Sequence, residues 1–130
     1  MSSVFTKIMR REILGHFVWE DELCVAIMTI QPVRDGHVLV IPRQEVDHWD
    51  VLPDELAAHL MTVAKKIATA LKKSFSSRRV GLLIAGFEVP HTHLHVLPID
   101  DMHDFDLSGL AFANADTLAS NAEKIRQALG

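Results

Sequence analysis

The stretch His91-Thr92-His93-Leu94-His95-Val96-Leu97-Pro98 holds three of the chain's 8 histidines within five positions. Polar and apolar side chains alternate along it, which predicts a strand from His91 to Ile99. Successive side chains of a strand point to opposite faces. His91, His93 and His95 are therefore expected on one face, each roughly 6.6 Å from the next at the usual rise per residue. Leu94 and Val96 then point the other way, into a core. Three imidazoles on one face are costly to hide. Each needs a carbonyl, another imidazole, a metal or an anionic ligand as partner.

Working outward, Arg79 to Phe87 reads as the strand before this one. His37 to Ile41 (HVLVI) and Leu23 to Ile30 read as two more. Pro32 ends the latter, Pro42 closes the former, and the Asp35-Gly36 turn between them predicts an antiparallel hairpin. Glu20-Asp21-Glu22 reads as a turn and Arg43 to Leu52 as a loop. Pro53 suits the first turn of a helix, with Asp54 and Glu55 at its positive end. Leu56, Leu60, Val63, Ile67, Leu71 and Phe75 then recur at helical spacing, with Lys65, Lys66, Lys72 and Lys73 towards the outer face and C-terminal end. Val4 to Arg11 suits a short helix capped by Ser2 or Ser3. Asn114 suits the cap of a last helix whose Leu118, Ala122, Ile125 and Leu129 share a face. The order is helix, two strands, long helix, two strands, helix: an α+β chain with a mainly antiparallel sheet.

Composition narrows the function. A chain of 130 residues is the size of one domain, and 48% apolar with 23% charged residues is ordinary for a globular one. The 13 basic residues against 17 acidic ones leave a net charge of −4. That excess of acid argues against a broad nucleic-acid or anionic-membrane footprint, though not against a small phosphate pocket. No apolar run approaches the ~18 residues of a membrane span, and the N-terminus lacks the apolar core of a signal peptide. The one cysteine, Cys24, forms no intrachain disulfide or cysteine-based zinc cage and fits a reducing compartment. A cytoplasmic protein is expected.

From the residues alone, three readings of the histidines stay open. They form a hydrogen-bonded structural row, contribute to a metal site, or perform chemistry on a phosphate. Three ligands from one straight strand chelate poorly without help from other strands. Phosphate chemistry suits the imidazole, since with a reference pKa near 6.5 both protonation states are accessible at neutral pH.

The pattern His91-Thr-His93-Leu-His95-Val-Leu resembles the His-X-His-X-His motif of the histidine triad (HIT) family. Asp35-Gly36-His37-Val-Leu-Val-Ile-Pro42 resembles that family's Gly-His strand. Val4-Phe5-Thr-Lys7-Ile8 resembles its opening, and Trp19-Glu20-Asp21-Glu22 its acidic turn. These segments span about residues 4 to 99 in the family's order; 100–130 form a C-terminal extension with a helix. The resemblance implies a single HIT-like domain over 1–130, with a sheet of about five strands, a long helix and a C-terminal helix. It implies a homodimer and a purine nucleotide hydrolase or transferase acting at the α-phosphate of a phosphoramidate or dinucleoside polyphosphate, without cofactor or metal. By position His93 is the nucleophile, His95 contacts the phosphate, His91 orients His93, and His37 is a fourth histidine of the site. Phe5, Ile8, Ile27 and Ile30 fall where the family lines its purine pocket. The alternatives are a nucleotide-binding module with little catalysis and, further off, a metal-binding histidine cluster.

Departures from the pattern are informative. Thr29 stands where the family has Asp or Asn on the ribose, and a hydroxyl accepts more weakly than a carboxylate. The segment before the triad is shorter. Phe87 replaces the glutamine that reaches the leaving side, and Glu88 puts an acid beside a phosphate site. Glu45 stands where one branch has a histidine, with His48 three residues on. Arg43, in the same Pro42-Arg43-Gln44-Glu45 segment, reads as a solvated loop residue, with positive charge for the site as the minority reading; His16, His59 and His103 sit in no motif and read as surface or structural residues. Cys24 reads as a small mid-strand core residue, and Trp19 and Trp49 as packing at loop edges.

Overall fold

The computed structural model describes all residues, Met1 to Gly130. Five strands form one antiparallel sheet: β1 (Phe17–Glu20), β2 (Cys24–Met28), β3 (Val38–Pro42), β4 (Arg79–Leu83) and β5 (Leu94–Ile99), in the order β1-β2-β3-β5-β4. Three helices flank it: α1 (Val4–Met9), α2 (Asp54–Ser74) and α3 (Ala115–Leu129). The expected α+β architecture is the observed one. No helix is long and apolar enough to cross a membrane.

The two faces of the sheet do different work. On one face α2 and α3 bury their apolar stripes against Cys24, Ala26, Met28, Val38, Val40, Leu94 and Val96. On the other, Phe5 of α1 packs with Val25, Ile27, Leu39 and Ile41. β2 and β3 are buried on both faces, which explains their unbroken apolar runs. Alternation puts His37 on the α1 face with Leu39. The pairing of Leu39 with His95 puts His95 there too.

Local chemistry sets the element ends. Ser3 caps α1, its hydroxyl accepting from the Thr6 amide at 3.1 Å. Asn114 caps α3 in the same way, accepting from Asp116 and Thr117. Gly36 turns the chain into β3 at φ +94°, where a Cβ would lie 2.9 Å from the Phe75 ring. Only glycine meets both demands without strain.

Several boundaries differ from the sequence reading. β1 is not among the strands that the sequence pattern marks. It is only four residues long, half-buried and bulged between Phe17 and Trp19, too short for periodicity to reveal. The strand expected over Leu23–Ile30 spans only Cys24–Met28, so Cys24 begins the strand rather than sitting mid-way. Arg79–Phe87 ends early, at Leu83. The histidine stretch joins the sheet only at Leu94: the Thr92 amide and hydroxyl both donate to the Val46 carbonyl, each at 2.7 Å, not to a strand. Trp19 packs against the core as expected, whereas Trp49 is exposed.

Candidate active site

Four histidines converge on the α1 face, all buried: His37, His91, His93 and His95. Their ring nitrogens can be assigned from their partners. A carbonyl only accepts, so His93 Nδ1, 2.8 Å from the His91 carbonyl, carries a hydrogen. His93 Nε2 therefore keeps its lone pair. The Val33 amide donates to His37 Nδ1 at 3.1 Å, so His37 carries its hydrogen on Nε2. That nitrogen lies 2.9 Å from His95 Nδ1 and donates to it. His95 is left with Nε2–H as a free donor. One imidazole thus presents a lone pair and its neighbour a hydrogen, with ring centroids 5.0 Å apart. The spacing is tighter than an ideal strand gives, because His93 lies just outside β5.

His91 is held at both ends. Its Nε2 donates to the Pro42 carbonyl at 2.7 Å, and its Nδ1 lies 2.6 Å from the Ser3 hydroxyl, which donates to it. Glu45 closes the clamp: one carboxylate oxygen accepts from the Ser3 amide at 2.7 Å and from the Thr6 hydroxyl at 2.5 Å. These bonds hold the Glu45 carboxyl below the usual range. The His91 ring does not touch the Nδ1 of His93; it fixes the main chain whose carbonyl does.

Burial opposes a positive charge on His37, His91 and His95. It pushes His37 down to about 3, with His95 and His93 adding repulsion, and His95 down to about 4. It also lowers His91, against the opposing pull of the Pro42 carbonyl and Glu45.

A cavity of about 210 Å³ opens beside His93 and His95. Phe5, Ile8, Ile27, Thr29 and Ile30, the five residues expected to bind nucleotide, all line it. Phe5 also stacks edge-on against His93, centroids 4.9 Å apart. His16, read as structural, lines the same cavity. The segment Leu107–Leu110, which no sequence motif marked, walls a second cavity of about 170 Å³ with His37 and His95. It is tied down by Gln31, whose Nε2 donates to the Leu110 carbonyl at 3.0 Å. Phe87 is fully exposed, and Glu88 lies at the cavity mouths.

Other candidates belong elsewhere. Arg43 donates to the Asp21 carbonyl and lies 3.6 Å from Glu20, bracing the β1–β2 turn. His48 is exposed beside Asp47. Asp21, Cys24 and His59 lie close enough to share an ion, on the α2 side of the sheet. Asp21 Oδ2 already accepts from His59 at 2.7 Å and Trp19 at 2.8 Å, and burial pushes the Cys24 thiol up to about 12. Hydrogen bonding accounts for that group as a structural knot. In the triad, too, most ring nitrogens are already bonded to carbonyl, hydroxyl or imidazole, which leaves few for a metal.

The geometry agrees with comparison to known proteins. The family model of the HIT domain matches residues 10–102. The chain is 34% identical over 131 residues to an uncharacterized HIT-like protein of Borreliella burgdorferi, covering 95% of this chain and 91% of that protein. It is 33% identical over 99 residues to adenosine 5'-monophosphoramidase HNT1 of Saccharomyces cerevisiae, covering 75% of this chain and 63% of that one. The crystal structure of a Hit-like protein involved in cell-cycle regulation from Bartonella henselae superposes with a TM-score of 0.84 at 30% identity, over 98% of this chain and 96% of that one. The chain belongs to the HIT domain family.

Proposed function

We propose that this chain is a purine nucleotide hydrolase or transferase that works through a nucleotidyl-histidine intermediate on His93. The observation that carries the reading is the tautomer of His93: its Nδ1–H is held by the His91 carbonyl, leaving the Nε2 lone pair as nucleophile. In the first step Nε2 attacks the α-phosphorus. An N–P bond forms, the bond to the leaving group breaks, and that group departs with the electron pair and takes a proton from solvent. His95 Nε2–H donates to a phosphoryl oxygen as charge builds there. Water then attacks phosphorus and loses a proton to solvent, the N–P bond breaks with its electron pair returning to Nε2, and the nucleoside monophosphate leaves with His93 restored.

Each partner has a task. His37 fixes the His95 tautomer, and His91 fixes the carbonyl that holds His93. The cavity of Phe5, Ile8, Ile27 and Ile30 offers an apolar slot for a flat base, and Thr29 a hydroxyl for the ribose. The name of the yeast relative supports an adenosine phosphoramidate as substrate. We include in the proposal a homodimer in the cytoplasm; the open sheet edge at β4, where Leu82 is exposed, offers a surface for a second copy.

The test is product-resolved hydrolysis of adenosine and guanosine phosphoramidates and dinucleoside polyphosphates by wild type and His93→Ala. Wild type should release the nucleoside monophosphate, and the variant should lose at least about a thousandfold in kcat while keeping its fold. Normal turnover by His93→Ala rejects the mechanism. Binding of a purine monophosphate with no turnover of any conjugate favours a binding module instead.

A further inference from the structure

Glu88 is the one acidic residue among those lining the three cavities that meet at His95, two of which also reach His93, and no Lys or Arg lines any of them. The cavities measure about 170, 210 and 190 Å³, and Glu88 borders all three. The basic side chains that do form ion pairs are spent on other acids: Arg10 on Glu12, Arg11 and Arg43 on Glu20, Arg34 on Asp100 and Asp104, and Arg126 on Glu123. The Glu88 carboxylate is exposed at the mouths, free of any hydrogen bond or ion pair. The site therefore offers neutral donors for one phosphate and a single fixed negative charge beside it. A chain of further phosphates has no countercharge there and meets repulsion.

We propose that Glu88 is a specificity-determining residue, which selects conjugates by leaving-group charge. It disfavours anionic leaving groups, additional phosphates included, and favours amines that carry a positive charge elsewhere in the molecule. The inference rests on the hydrolytic reading above and adds the class of leaving group. No part of the bond-breaking is assigned to Glu88. Its effect is a Coulomb term, which salt weakens.

The experiment uses adenosine 5'-phosphoramidates whose N-alkyl chains end in ammonium, methyl or carboxylate, with diadenosine tetraphosphate beside them. The quantity read is the kcat/KM ratio of the ammonium to the carboxylate substrate. In wild type it should favour ammonium and shrink as ionic strength rises. Glu88→Gln should lower it about tenfold or more, the size of unit-charge interactions across a half-open site. Glu88→Lys should invert it. Glu22→Gln, which removes an exposed acid from the β1–β2 turn, should leave it unchanged. A wild-type ratio near one, or one independent of salt, overturns the proposal without needing any variant. So does a ratio unmoved in Glu88→Gln while hydrolysis continues, and the catalytic reading then survives. Turnover of no conjugate by wild type overturns both.

Discussion

His37 Nε2 lies 2.9 Å from His95 Nδ1 in a buried pair, and the one hydrogen between them fixes both tautomers. A proton added to either ring would put charge where burial opposes it. His37 is held down at about 3 and His95 at about 4, against about 6.5 in the unfolded chain. The unfolded state therefore takes up protons first as pH falls. Stability is fully present above about pH 7 and is lost progressively as pH drops through 6.5 towards 4. Each fully shifted histidine costs about 2 kcal/mol at pH 5. Urea unfolding at pH 7.5 and pH 5.0 should differ by about 2 to 4 kcal/mol for the pair. Carboxylates held low, such as Asp100 and Glu45, stay ionised across this window and do not mask the effect. Equal stability at the two pH values would contradict the buried neutral pair.

The Ser3 hydroxyl reaches His91 across 88 positions of sequence, at 2.6 Å. Ser3→Ala removes the donor to His91 Nδ1 and the cap of α1 together. Loss of the cap should cost about 1 kcal/mol of stability. Loss of the donor frees the His91 ring and, with it, the carbonyl that aims His93. The expected result is a kcat about tenfold lower with KM little changed, as for a group that acts through another residue. Ser3→Thr keeps the hydroxyl and should restore most of the rate. Failure of threonine to rescue, with α1 intact, would mean the hydroxyl matters only as a cap.

Much of this site is legible in the sequence because its residues sit on regular elements. His95 falls on β5 and His37 directly precedes β3, so strand alternation fixes the face of both, and the long stripe from Leu56 to Leu71 marks α2 directly. The apolar nucleotide-site candidates Phe5, Ile8, Ile27 and Ile30 come from the family resemblance alone, because an apolar residue facing a ligand has the same periodicity as one facing the core. Illegible parts depend on contacts distant in sequence. Glu45 on Ser3 and Thr6, Thr92 on Val46, and Gln31 on Leu110 join loops that no periodicity describes. Periodicity extends the last strand back over His91 and His93 for that reason. Two bonds to the Val46 carbonyl hold Thr92 in a pattern that alternation cannot distinguish from a ladder. β1 escapes because four bulged residues carry too little periodic signal.

Ile8 lies on α1 at the cavity beside His93, partly buried and packed against the smaller core cluster. Its side chain completes the apolar slot without reaching the histidine network. Ile8→Asn places an amide where a base ring would stack. KM for an adenosine conjugate should rise about tenfold, the size expected when a polar amide replaces apolar surface against the base, while kcat holds within about threefold. Steady-state kinetics separate the two constants. A fall in kcat alone, with KM unchanged, would place the base elsewhere.

Gly81 in β4 leaves room for Phe105, whose ring tip would lie 2.5 Å from a Cβ at that position, with Ile99 Cδ1 at 2.9 Å. Phe105 ends the short 3-10 turn Met102–Phe105, and the chain runs from it directly into Leu107–Leu110 beside His37 and His95. Gly81→Ala must therefore unseat Phe105, since the crowding atoms belong to a rigid ring and a packed isoleucine. Overpacking of this kind costs about 1 to 3 kcal/mol. The displaced ring also slackens the segment over the site, because only the Gln31 bond and the Ala113–Ile30 backbone pair then hold its far end. Hydrogen exchange should show faster exchange at Leu107–Leu110 and unaltered protection in α2. Adding Phe105→Leu, which shortens the ring that meets the new methyl, should recover part of the stability. If Gly81→Ala leaves both stability and loop exchange unchanged, Phe105 does not anchor this segment.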